Sequence, residues 1–350
     1  MNRSTYSPAP EKTIELMNLK KQMETHMTIS RLILALLSFL FFATHTVFAD
    51  DSYPSRPINL IVPNPPGGSS DANARILSDA LTKILKQPVV VIFKPGVAGQ
   101  IGNSFVAKSK PDGYNVLMGL SSIMVSPEAE RVQGKTSLYE VDQLIPVGMI
   151  SNDPMIMLVN ANSPWKTLAD VVKAAKEKPG TINYSSSGNF GPIHLSVVMF
   201  EQAAGIRLVQ VPFGGGGPSM MALLGSQVEI TTAIPSVAMA QLQSGKVKAI
   251  AVSGAKRIKI LPNVPTYRES GYDAEFNIWN GLFVPQGTPD AIVKTLRDAI
   301  REAANSGELE AVMQQRGMIY EYLDQPEFKK FAKEDGDRMV KAVKLIGKLN

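Results

Sequence analysis

Three times this chain leaves a short apolar, β-like run through a turn of glycine and serine and passes straight into a helical pattern. The first turn is Pro63-Asn64-Pro65-Pro66-Gly67-Gly68-Ser69-Ser70-Asp71, and the others are Ser185-Ser186-Ser187-Gly188-Asn189 and Phe213-Gly214-Gly215-Gly216-Gly217-Pro218-Ser219. Repeated strand-to-helix units of this kind build largely parallel βαβ sheets. The turns also have a chemical meaning. Glycines let the backbone bend and approach a ligand, and each new helix offers unpaired N–H groups where its dipole is positive. Several such turns could converge on one negatively charged group. Taken singly, the first is equally an ordinary turn with Ser70 or Asp71 as N-cap.

The β/α alternation runs through most of the chain. Strands are expected at 58–62, 89–93, 116–119, 155–159, 182–184, 208–211, 228–231 and 248–252, with helices near 71–85, 101–108, 193–203, 218–224 and 237–243. Thr167-Leu168-Ala169-Asp170 forms a capping box and Pro179-Gly180 a stop for one further helix. The stretch between 119 and 155, with Gly134 and Pro146, reads as looser. After Trp279-Asn280-Gly281-Leu282-Phe283-Val284-Pro285 comes a helix capped by Thr288, started by Pro289 and running to about 304, then a long one from about 325. These late elements are too few for a third domain, so they pack back onto the first sheet. Two domains are therefore expected: residues 50–153 with 277–350, and residues 154–276. Two chain crossings between them make a hinge with a cleft at the carboxyl ends of strands.

Residues 1–49 are set apart as a secretory signal, cleaved near Ala49. Its apolar stretch, residues 32–43, follows Lys20, Lys21 and Arg31 and is shorter than the roughly 20 residues of a membrane span. An uncleaved anchor is the alternative, and Met17, Met23 or Met27 could be the true start. Without those residues, 36 Lys/Arg and 31 Asp/Glu fall by five and three to 31 and 28, a net charge of +3. That mild excess, with no basic cluster, excludes nucleic acid as a partner. The absence of cysteine excludes disulfides, thiolate catalysis and a lipid-modified N-terminal Cys. Of three histidines only His194 survives cleavage, so no multi-His metal site can form, and its place at a helix start favours a structural role over that of a base.

The motifs Tyr53-Pro54-Ser55-Arg56-Pro57, Pro66-Gly67-Gly68-Ser69-Ser70-Asp71, Pro95-Gly96-Val97-Ala98-Gly99, Pro111-Asp112-Gly113-Tyr114, Val211-Pro212-Phe213-Gly214-Gly215 and Leu261-Pro262-Asn263-Val264-Pro265-Thr266 occur together and in order. With Trp279-Asn280-Gly281 they make residues 53–345 resemble the Bug-type receptors, the extracytoplasmic solute-binding proteins of tripartite tricarboxylate transporters. The resemblance implies an α/β, two-lobed periplasmic-binding-protein fold of type II, each lobe a mixed or parallel sheet flanked by helices, with two hinge crossings. It implies a monomer without enzyme activity or cofactor, closing on a small organic carboxylate and docking on a membrane permease. By motif, the ligand donors are Gly68, Ser69, Ser70, Ser121 and Ser122 from the first lobe and Ser187, Gly188, Asn189, Gly214 and Gly215 from the second. Asn64 is included because it stands where the family usually has an aromatic ligand cover.

Other departures bear on the far end of the pocket. Phe190-Gly191 replaces small and hydroxyl residues, Phe213-Gly214 replaces a frequent Tyr-Lys pair, and no carboxylate falls within 231–235, which tilts against an ammonium-bearing substrate. Blander readings stay open for several positions. Ser121-Ser122 also reads as a solvent-facing loop, Gly214 to Gly217 as a close passage of backbones, and Trp279 and the pair Met220-Met221 as core. Two other functions are also open: a sensor for a membrane kinase using the same cleft, and an exported serine-dependent enzyme. The enzyme has little support, because no G-x-S-x-G elbow, Walker A lysine or G-x-G-x-x-G is present.

Overall fold

The structure is a computed structural model that describes residues 53–347, together with 20 and 23. The expected export segment, residues 1–49, lies outside the described residues apart from these two. Among the described residues no helix is long and apolar enough to cross a membrane.

The first run of elements is β1 (Ile58–Val62), α1 (Ser69–Leu85), β2 (Val89–Phe93), α2 (Gln100–Ala107), β3 (Asn115–Leu120), α3 (Ser126–Val132) and β4 (Leu144–Pro154). There follow β5 (Ile156–Asn160), α4 (Leu168–Glu177), β6 (Asn183–Ser186), α5 (Pro192–Ala204), β7 (Val209–Pro212), α6 (Gly216–Leu224), β8 (Ile230–Ala233), α7 (Pro235–Gln243) and β9 (Val247–Val252). The last are β10 (Asn277–Pro285), α8 (Asp290–Asn305), α9 (Glu308–Gln315), β11 (Tyr320–Leu323) and α10 (Gln325–Ile346).

These strands form two sheets, a six-stranded one in the order β11-β4-β10-β3-β1-β2 and a five-stranded one in the order β7-β6-β8-β5-β9. In the first, β1 runs parallel to β2 and β3, while β10 is antiparallel to β3 and β4. In the second, β6 is parallel to β7 and β8, and β5 is antiparallel to β8 and β9. The fold is thus α/β with two mixed sheets flanked by helices, as expected. The chain leaves the first sheet at Pro154, enters the second at Ile156, and returns between Val252 and Asn277. The late strands β10 and β11 do pack back into the first sheet.

Some local expectations need correction. The stretch read as looser contains β4, 11 residues long and paired on both sides. Pro146 and the polar run Ser151-Asn152-Asp153 hide its period-two pattern, and Pro146 is tolerated beside a register irregularity opposite Phe283. Thr288 does not cap α8: Pro289 is the N-cap, and the Thr288 hydroxyl donates to the Pro285 carbonyl at 2.8 Å. Met220 is buried, but its neighbour Met221 is 66% exposed and fills no core.

Each sheet carries apolar clusters on both faces, with Leu60, Leu77 and Leu296 on one side of the first and Ile61, Trp279 and Phe328 on the other. Trp279 is fully buried and donates its indole N–H to Asp335 Oδ2 at 2.7 Å, which makes it a core residue. A further cluster joins the two lobes: Val125, Met339 and Val343 pack with Phe190, Ile193 and Leu195.

Candidate functional site

At the end of β1 the chain turns through Pro63 to Gly68 and α1 begins with Gly68 as its N-cap, with no side chain capping it. Asp71, expected as a cap, serves the turn instead: Oδ2 accepts the Gly67 N–H at 2.8 Å and Oδ1 pairs with Arg75 at 2.6 Å. The first N–H groups of α1 therefore lack a side-chain acceptor. Ser69 Oγ accepts from Asn280 Nδ2 at 2.8 Å, which orients the hydroxyl and leaves its proton for another acceptor. Ser70 spends its proton on Asn64 Oδ1 at 3.3 Å.

From the second sheet three more helices start without a side-chain cap: α5 after Gly191, α6 after Gly215 and α7 after Ile234. Proline at the first turn of α5 and of α7 removes one donor that no helical carbonyl would have used; the next N–H remains in each, that of Ser236 in α7, where the Val237 N–H already bonds the Ile234 carbonyl at 3.0 Å. The starts of these three helices and of α1 line one cleft of about 680 Å³. Ser187 and Thr232 also line it, and the hydroxyls of both, Ser187 Oγ and Thr232 Oγ1, are buried and have no partner. A buried unpartnered hydroxyl costs about 1–3 kcal/mol, so a group that satisfies both recovers that amount.

The glycines of the α6 turn are not there for packing. A Cβ at Gly214, Gly216 or Gly217 would meet no atom within 4 Å, whereas one at Gly281 would lie 2.4 Å from Phe328 and one at Gly102 would lie 2.7 Å from the Pro63 backbone. Only Gly215, at φ 140°, needs glycine for its conformation. The reading of Gly214 to Gly217 as a close passage between backbones is therefore set aside. Their missing side chains leave room in the cleft.

Of the residues expected to bind, Asn64, Gly68, Ser69, Ser70, Ser187, Gly214 and Gly215 line this cleft. Ser121, Ser122, Gly188 and Asn189 are not on its wall, where Leu120 lies instead. Ser121 is buried in a short 3-10 turn rather than in a solvent-facing loop, and the Ser122 carbonyl accepts from Ser126 at 2.8 Å. The Gly188 N–H goes to Ser186 Oγ at 3.3 Å, and Asn189 Oδ1 accepts from Gln210 at 3.2 Å.

Among the lining residues that carried no expectation are Thr232, Asp153 and Arg316. Thr232 sits in β8 beside Thr231, whose hydroxyl pairs with Ser185 at 2.7 Å. Asp153, at the end of β4, is 1% exposed; it accepts the Ile319 N–H at 2.8 Å, and burial pushes its carboxyl up to about 7. Arg316 closes α9 and is exposed. The polar run just before the first crossing was a usable signal for Asp153. Nothing local marks Arg316. His194, by contrast, is away from the cleft wall: its Nδ1 accepts the Phe190 N–H at 3.0 Å, and burial holds its pKa down to about 4, so the neutral ring serves as an acceptor inside the lobe.

Two mixed α/β sheets, crossed twice by the chain and sharing a cleft fringed with helix starts, define a solute-binding protein of the periplasmic type. Residues 73–350 match the family described as the tripartite tricarboxylate transporter family receptor, TctC, and the chain belongs to that family. It is 34% identical over 274 residues to protein BugT of Bordetella pertussis, covering 76% of this chain and 83% of BugT. A TctC solute binding protein from Polaromonas, solved without ligand, superposes with a TM-score of 0.73 at 32% identity, covering 84% of this chain and 99% of that one. MatC from Rhodopseudomonas palustris, solved with bound malate, gives 0.70 at 26% identity over 83% of this chain and all of that one, 100%.

Proposed function

We propose that this chain is a periplasmic receptor that captures a small organic carboxylate between two lobes and delivers it to the permease of a tripartite transporter. The lobes are residues 50–153 with 277–350, and residues 154–276. The observation that carries this reading is the meeting of four uncapped helix starts with the unpartnered hydroxyls of Ser187 and Thr232 in one cleft. Hydrogen bonds to a charged group contribute about 1.5–3 kcal/mol each, and a helix start adds about 0.3–2 kcal/mol, so several together hold a carboxylate where one would not. Ser69, Ser70, Gly68 and Asn64 supply the first lobe's share; Ser187, Gly214, Gly215 and Thr232 supply the second's. A ligand held from both sides favours the closed arrangement by its differential affinity for it. The receptor acts as a monomer and performs no reaction, and its one histidine in the described residues is committed to the Phe190 backbone. Malate bound to MatC supports a ligand of this size and charge.

The test is calorimetric titration with a panel of small organic acids, malate among them, on the wild type and on Ser69→Ala with Ser187→Ala. The double variant binds the best acid at least tenfold more weakly. Unchanged affinity removes these turns from the site, and no binding by the wild type across the panel removes the function.

A further inference from the structure

Among the described residues the cleft wall holds only two ionisable side chains, Asp153 and Arg316. Residues 53–347 contain ten arginines, and eight of them are ion-paired: Arg56, Arg75, Arg131, Arg257, Arg268, Arg297, Arg301 and Arg338. Arg207 has Glu201 in its neighbourhood. Arg316 has no carboxylate within 4.0 Å among the described residues.

An unpaired exposed arginine is unremarkable on an open surface; here its backbone is fixed at the wall of a binding cleft. The Arg316 N–H bonds the Met313 carbonyl and the Gly317 N–H bonds that of Gln314, both at 3.0 Å. Ile319 is tied to Asp153 by its N–H at 2.8 Å and to the Asn152 N–H by its carbonyl at 3.2 Å. Gly317 abuts α7 of the other lobe, where an added Cβ would lie 3.5 Å from Ser236 Cα. The strap 316–319 is thus hydrogen-bonded to the first lobe and lies beside α7 of the other, while the Arg316 side chain makes no hydrogen bond. Asp153 does not quench that charge, because it is engaged with Ile319 and burial favours its neutral form.

We propose that Arg316 is the specificity-determining residue of this cleft, pairing with a second acidic group on the ligand once its first carboxylate is held at the helix starts. The inference rests on the function proposed above. The planar guanidinium offers a two-pronged match to a carboxylate. Leu120, Met155, Ile193 and Ile278 supply the apolar part of the wall, so the ligand class is a diacid whose carboxylates are joined by a short carbon chain.

The experiment is calorimetry at pH 7 on wild type, Arg316→Gln and Arg316→Lys, titrated with succinate, glutarate and adipate and with the matching monoacids butanoate, pentanoate and hexanoate. The wild type prefers its best diacid to the matched monoacid. Arg316→Gln loses at least tenfold for the diacid and stays within twofold for the monoacid, while Arg316→Lys keeps part of the preference. The side chain makes no hydrogen bond within the fold, so the variants melt with the wild type. A diacid-to-monoacid ratio unchanged in Arg316→Gln, or a wild type that prefers the monoacid, overturns the role of Arg316 and leaves the carboxylate receptor standing. A wild type that binds none of the six acids, and none of the wider panel, overturns both.

Discussion

Replacing Gly216 and Gly217 with alanine moves stability and affinity in opposite directions, and a purely structural turn would not do this. Both residues lie in the first turn of α6, neither has a positive φ, and a Cβ at either meets nothing within 4 Å. Alanine therefore enters without strain. It narrows the unfolded ensemble and suits a helix better, which stabilises by about 0.4–1 kcal/mol per site. First-turn positions fall at the low end, so the pair contributes about 1 kcal/mol and raises Tm by about 2–4 °C. In the ligated state the new methyl groups occupy the space through which an anion reaches the N–H groups of this helix start. Losing one charge-assisted hydrogen bond weakens binding by about 1.5–3 kcal/mol, or about ten- to a hundredfold. Thermal denaturation of the apo protein and calorimetry with the best acid of the panel read the two effects separately. A stabilised variant of unchanged affinity would show that these glycines face plain solvent, and a destabilised one would refute the helical geometry of the turn itself.

Three further outcomes follow from the same physical reasoning. Asp153 has a carboxyl raised from about 4 to about 7, so stability is full below pH 4 and is lost as pH rises through 7, on the order of 4 kcal/mol. Ionised Asp153 on the cleft wall also repels an anion, so affinity falls above pH 7; Asp153→Asn keeps an acceptor for Ile319, stabilises the protein at pH 8 but not at pH 4, and abolishes that fall, and melting and titration across this range check both. His194 is held near 4 against about 6.5 unfolded, so the unfolded chain takes up the proton first and stability falls as pH drops from about 6.5 to 4; His194→Gln flattens that limb of the melting profile and leaves affinity at pH 7.5 within twofold. Gly281→Ala places a Cβ 2.4 Å from Phe328 Cζ and 3.0 Å from the Gly148 carbonyl in the core of the first sheet, and denaturant unfolding should show a loss of about 2–3 kcal/mol.

What the sequence disclosed was local, and what it hid was tertiary. The turn at Gly67-Gly68-Ser69-Ser70 is legible because strand, glycines and helix follow one another within a few residues, and its role in the cleft needs no distant partner to be guessed. Strand β4 was missed because its buried apolar residues, Leu144, Val147, Met149 and Ile150, are broken by Pro146 and run into Ser151-Asn152-Asp153, whose burial follows from the first crossing between sheets. Ser121 and Ser122 failed to reach the cleft because a 3-10 turn folds them back after β3. Thr232 and Ser185–Thr231 illustrate the limit most plainly. Adjacent threonines on one strand face opposite sides; one closes an internal hydrogen bond and the other lies buried and unpartnered behind the cleft wall, and only the position of β8 in its sheet decides which. Arg316 is more than two hundred residues from Ser69, and no periodicity links them.

The loop that carries Ser187, a proposed ligand donor on the cleft wall, is built on the cluster that joins the lobes. Phe190, three residues on, adopts φ 58°, a conformation costly for an aromatic residue, and its N–H is held by His194 while its ring packs with Ile193 and Met339. Gly191 completes the bend, since a Cβ there would lie 2.6 Å from Ser187 Oγ. The hydroxyl left unpartnered at the cleft and the ring wedged between the lobes thus belong to one short, over-determined turn. Phe190 shares its apolar cluster with Met339 and Val343 of the first lobe, and apolar side chains packed this closely shift between discrete arrangements rather than deform continuously. In the proposed closure the packing at Phe190 therefore sets how far the second lobe turns, and the neutral His194 holds that backbone from inside the second lobe, away from the cleft wall.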